Sequence, residues 1–115
     1  MPAGTYNITA EQGATFSRVL TWRDSANALI NLTGYTARMQ VRTDYASSTA
    51  ELSLTTENGK ITLGGALGTI TLLVSASDMA VMPARSFVYD LEMVNGATVT
   101  RLVEGSFAVK AEVTR

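Results

Sequence analysis

The sequence predicts an all-β domain: a single antiparallel β-sandwich, immunoglobulin-like in the loose sense, with one short helical turn near residues 76–81. Three observations carry this. Residues 36–42 alternate, Ala37, Met39 and Val41 pointing one way and Arg38, Gln40 and Arg42 the other, which is the period of a half-buried strand. Turn residues recur along the chain at roughly the 8–12-residue spacing of sandwiches. Asn95-Gly96 then joins two long alternating runs, the strongest hairpin signal present. A small barrel is the alternative closure of the same strands. The 115 residues, 46% of them hydrophobic, read as one domain over residues 1–115 with one core.

Tyr6 to Ala10 reads as a short first strand and Ala14 to Trp22 as a second. Phe16, Leu20 and Trp22 share a face that Arg18 interrupts, as a snorkelling or paired arginine or as the mark of a bulge. Asp24 to Asn27 is a turn whose side chains bond their own backbone. Leu29 to Leu32 is extended, Asn31 to Tyr35 a tight corner, and Thr36 to Arg42 the alternating strand. The polar stretch Asp44 to Thr49 is a loop. Ala50 to Thr55 turns Leu52 and Leu54 inward, and Glu57-Asn58-Gly59 predicts a hairpin turn before Ile61 and Leu63. Gly64 to Gly68 is another tight connection, leading to Ile70, Leu72 and Val74 on one face of the next strand. Ser75 and Asp78 have capping-box spacing, and Pro83 stops whatever helix follows. Arg85 to Val94 turns Phe87, Tyr89, Leu91 and Met93 inward. A two-residue Asn95-Gly96 loop sets Arg101 opposite Asp90 but Glu104 opposite Phe87. The apolar parity of Phe107, Val109, Ala111 and Val113 therefore requires a bulge, expected near Gly105.

Several of these segments resemble, in order and from end to end, a small virion structural protein widespread in tailed bacteriophages and prophages. They are Ala3-Gly4-Thr5-Tyr6-Asn7-Ile8-Thr9, Glu11 to Phe16, Leu20-Thr21-Trp22, the run Leu32 to Arg42, and Glu57-Asn58-Gly59. Ile61 to Gly65, Gly68 to Leu72, Val88 to Glu92 and Glu112 to Arg115 complete the set. The chain is similar, more distantly, to the N-terminal attachment domain of phage baseplate upper proteins. It departs where Asn27-Ala28 stands in place of a Gly-x pair, and where Met79 and Met82 replace less oxidisable residues. The resemblance implies a virion structural module, made in the host bacterial cytoplasm and oligomeric in the particle. Its partners would be other tail, baseplate, fibre or capsid proteins. Head decoration is the alternative place for such a module.

The residues favour no enzyme. With no histidine and no cysteine, the commonest general base, the Ser-His and Cys-His pairs and the usual zinc ligands are missing. Asp90 and Glu92 share a strand face and could be a glycosidase pair, but a solvated face explains them. Asp24, Asp44 and Asp78 lack calcium-loop spacing. The glycines at 64, 65 and 68 lack the Lys-Ser/Thr of a phosphate loop. Asn7-Ile8-Thr9 and Asn31-Leu32-Thr33 match the glycosylation pattern by chance in a Thr-rich chain. No catalytic residue, cofactor or metal ligand is assigned.

Binding surfaces remain. Charged residues are 17% of the chain, the net charge is −1 and the nine basic residues are scattered. This disfavours a nucleic-acid partner, and no apolar run is long enough to span a membrane. The low charge fits either a surface covered by partners or one made polar by hydroxyls. The candidate interface residues are Pro2, Thr5 and Tyr6 at the start, Met79, Val81 and Met82 in an exposed turn, and Val113 and Arg115 at the end. The edge near Asn7 to Thr9 goes with them. The methionines could conform to a partner or plug the end of the sandwich. Trp22 and Tyr35 could stack on sugars, which needs them exposed; the structural readings need Trp22 buried.

Overall fold

The computed structural model describes residues 4–113. They form nine strands in chain order: β1 (Gly4–Thr5), β2 (Ile8–Glu11), β3 (Phe16–Thr21), β4 (Thr36–Arg42), β5 (Leu52–Thr55), β6 (Ile61–Leu63), β7 (Thr69–Val74), β8 (Ser86–Asn95) and β9 (Thr98–Lys110). A 3-10 turn, Gly65–Leu67, precedes β7, and α1 (Ala76–Ala80) follows it. The larger sheet runs β5–β4–β8–β9, with β1 and β2 both on the far side of β9; the smaller is β3–β7–β6. The two pack face to face as the expected sandwich. Neighbouring strands are antiparallel except at β1 and β2, which run parallel to β9. Gly4 lies beside Val103 and Ile8 beside Phe107, so the start of the chain is zipped to its end.

The alternation of β4 is realised: Ala37, Met39 and Val41 are buried, and Arg38 and Gln40 are exposed. Met39 lies opposite Leu54 on one side and Leu91 on the other. Phe16 of the smaller sheet meets Phe107 of the larger edge to face, with ring centres 5.4 Å apart. Burying each such side chain contributes about 1.5–3 kcal/mol. The corner before β4 is tied by Asn31, whose Oδ1 accepts the Thr33 N–H at 3.0 Å and its hydroxyl at 2.7 Å. This places Leu32 in the core. In the turn before it, Asp24 Oδ1 accepts the N–H groups of Ala26 and Ala28, and Asn27 takes a positive φ of 67°. That is why asparagine can stand there in place of glycine. Ser75 caps α1 by accepting the Asp78 N–H at 3.2 Å.

Three local expectations are corrected. The hairpin loop is Gly96-Ala97, because Asn95 pairs with Thr98. Only Gly96 has a positive φ there, as a II′ turn requires at its first central position. Arg101 therefore lies opposite Glu92, not Asp90. The bulge falls at Leu102, between the pairs Glu92–Arg101 and Leu91–Val103, and it brings Phe107 opposite Phe87. Gly105 serves another purpose. The Tyr6 backbone crosses it so closely that a Cβ would stand 2.5 Å from the Tyr6 carbonyl oxygen. Finally, Glu57-Asn58-Gly59 is no hairpin turn: β5 belongs to the larger sheet and β6 to the smaller, so this turn carries the chain between sheets.

Candidate functional site

The two outer faces differ in kind. Cross-strand pairs put Ser17 beside Leu73, Val19 beside Thr71, Thr21 beside Thr69, and Thr62 beside Thr71 on the outer face of the smaller sheet. These strand side chains are hydroxyl and aliphatic, and Val19 is 56% exposed and Leu73 47%. The charges at the margin are Lys60, beside Leu73, and Asp78, paired with Lys60 at 3.5 Å. The outer face of the larger sheet is a lattice of ions. Arg38 Nε meets Glu92 at 2.7 Å, and Arg101 reaches Asp90 at 3.2 Å and Glu92 and Glu104 at 3.9 Å. Partial burial, and then the neighbouring Glu92 carboxylate, raise the pKa of Asp90 above the ordinary aspartate value.

Sheet edges are the second feature. Thr56 N–H donates to the Ala37 carbonyl, so Leu52 and Leu54 turn their backbone groups toward β4 while Ser53 and Thr55 turn theirs outward. Asn58 closes that edge: its Oδ1 accepts the Thr55 N–H at 3.0 Å and its Nδ2 donates to the Ser53 carbonyl at 3.1 Å. β6 is three residues long. On the other edge of the smaller sheet, Trp22 N–H donates to the Gly68 carbonyl at 2.8 Å. The alternation that follows turns Phe16, Arg18 and Leu20 toward β7, and Ser17, Val19 and Thr21 outward. Among the described residues nothing pairs with those outward groups. β3 is thus an open edge among the described residues, continuous with that hydroxyl and aliphatic face.

Arg18 occupies the inner side of that edge, where the alternation would place an apolar residue, and there is no bulge. The side chain snorkels. Nη1 donates to the Tyr6 hydroxyl at 2.7 Å, and the guanidinium lies 5.9 Å from the Tyr6 ring centre and 5.5 Å from that of Phe16. Behind it the buried Tyr89 hydroxyl donates to the Tyr6 carbonyl. Burial first, then Tyr6, holds that phenol well above the usual tyrosine pKa, so it stays a neutral donor.

No protein-family model and no curated protein matches this chain.

Of the residues expected at an interface, Pro2 and Arg115 lie outside the described residues. Thr5 is exposed on β1 and Tyr6 half-buried beside it; Asn7 to Thr9 sit at the edge of the larger sheet. The expectation of an exposed methionine turn is corrected: Met79 is 0% exposed and Met82 2%. Both fill the end of the sandwich beneath α1, because the capped turn points them inward, and only Val81 remains outside. The structure brings that turn to the C-terminal segment. Gln12 Nε2 donates to the Met82 carbonyl at 2.8 Å and its Oε1 accepts the Glu112 N–H at 3.2 Å. Exposed Val81 and Val113 therefore belong to one end of the molecule. Trp22 and Tyr35 are both half-buried and meet edge to face at 83°, which gives no shared flat platform. The open β3 edge was missed in the sequence, although Arg18 breaking an apolar face was a legible sign of it. Among the described residues no three acidic side chains are placed to hold a metal ion, and no helix is long and apolar enough to cross a membrane.

Proposed function

We propose that this protein is a structural component of a tailed-bacteriophage virion, a small β-sandwich adaptor docking at the tail tip, baseplate or fibre base. It works by surface burial and edge-strand pairing, not by catalysis. The observation that supports this most directly is the contrast between the two outer faces. The smaller sheet offers a face whose strand residues are hydroxyl and aliphatic, with the Lys60–Asp78 ion pair at its margin, and it ends in the β3 edge, which no described residue pairs. Such side chains are less costly for a neighbour to cover than ions. Exposed edges invite pairing, and proteins usually blunt them; Asn58 blunts β5, while no described residue covers β3. The ion lattice on the opposite face keeps that side wetted. The end-to-end resemblance to phage virion proteins supplies the setting.

Antibody labelling of purified virions, imaged by electron microscopy, tests this reading. Label at the tail end is the expected result. Label over the head moves the protein to a decoration role, and absence of label from intact and disrupted particles removes it from the virion altogether.

A further inference from the structure

We propose that the β3 edge receives an extended strand of a partner protein that places a carboxylate against Arg18. Pairing on this edge would use the outward N–H and C=O groups of Ser17, Val19 and Thr21, which no described residue occupies. A strand laid there turns alternate side chains inward, over the cleft between β2 and β3. That cleft, about 230 Å³, is lined by Thr9, Glu11, Ser17, Arg18 and Lys110 among others.

Arg18 identifies the side chain such a strand should bring. It is half-buried, and among the described residues no carboxylate approaches it within 4.0 Å. Its hydrogen bonds go to neutral oxygens, the Tyr6 hydroxyl at 2.7 Å and, weakly, the Thr9 carbonyl at 3.5 Å. A guanidinium removed from water is best satisfied by a carboxylate. The cleft's own acid, Glu11, stands across the ladder from Lys110, so the lining carries a surplus positive charge. β3-to-β3 pairing between two copies does not fit: β3 reads Phe-Ser-Arg-Val-Leu-Thr and contains no acid, so no such register supplies one. The charge of Arg18 calls instead for a strand of a different chain, alternating small or hydroxylated residues outward with apolar residues and one Asp or Glu inward.

This inference rests on the docking reading in taking β3 as a used edge, but its test is made on the isolated protein. Failure of the test leaves the virion assignment standing, and failure to label virions leaves the site standing. The probe is a fluorescein-labelled heptapeptide, TVTETVT, compared with TVTQTVT by fluorescence anisotropy. The glutamate peptide should bind about tenfold more tightly than the glutamine peptide, the worth of one charge-assisted contact. Arg18→Gln should abolish that difference. N-methylation of the peptide's threonines, which blocks the ladder without touching the protein, should abolish binding of both. Val19→Pro, which removes an outward N–H and no ladder bond, should do the same, with circular dichroism reporting its fold. Equal affinity for the two peptides, no binding of either, or binding that survives threonine N-methylation would overturn the proposal. So would a homodimer of the wild-type protein that Val19→Pro dissolves.

Discussion

Single residues carry much of this fold's specification. Gly105 marks the place where the Tyr6 backbone, between β1 and β2, lies against β9, and a Cβ there would stand 2.5 Å from the Tyr6 carbonyl oxygen. Gly105→Ala should cost about 1–3 kcal/mol of stability, as overpacking does, read as a lower urea midpoint with an unchanged slope. Asp90 gives a pH signature. Because the folded protein holds this proton more tightly than the unfolded chain does, Asp90 favours folding below the ordinary aspartate range. That contribution is lost as pH rises through that range to the raised value. Asp90→Asn should therefore raise the urea midpoint at pH 7 relative to wild type, with the gap closing toward pH 3. The effect is small, because the side chain is 34% exposed. A gap that widens on acidification would contradict a raised Asp90 pKa. Arg18 was legible as an anomaly in the sequence, but its meaning needed the neighbours that only folding supplies, Tyr6 above all.

At the level of elements, edges decide behaviour. Asn58 imitates a strand neighbour for β5 through two hydrogen bonds. Asn58→Ala should destabilise by about 1–2 kcal/mol and promote self-association visible by analytical ultracentrifugation, because it uncovers a second edge. At the end of the sandwich, Met79 is fully enclosed. Met79→Ala should cost about 2–5 kcal/mol through the cavity it leaves, measured by thermal or urea unfolding. An exposed methionine would show almost no loss, so this measurement separates a plug from a sticky surface. The strand β4, the cap of α1 and the Asp24 turn were all readable from local patterns, because each depends on side chains within a few residues of one another. The β8–β9 register was not: Asn-Gly can serve as the whole loop or as its first half, and only the competing pairings of the full strands choose.

Across the whole molecule, the pairing of β1 and β2 with β9 joins residues 99 positions apart, as in Gly4 with Val103. Removing residues 1–11 would strip the outer edge of β9, expose Phe107, and leave Tyr89 without its acceptor. The truncated protein should aggregate or lose cooperative unfolding, seen by size-exclusion chromatography and a broadened urea transition. A monomer with an unchanged midpoint would mean that this zipper adds nothing. Contacts so distant in sequence also favour slow, all-or-none folding.

Residue order was enough to specify the class of fold, the inward faces of most strands and the helical turn at its cap. These follow from period, turn chemistry and composition, which are local or global properties of a string. Packing in three dimensions was needed to choose which strands share a sheet, to run the first parallel to the last, and to seal the methionines in. It also left β3 without a partner among the described residues while β5 is capped, and it gathered the strand-borne ion pairs on one face. These depend on which distant backbones come within hydrogen-bonding reach, and that choice is made by the packing of all the strands at once.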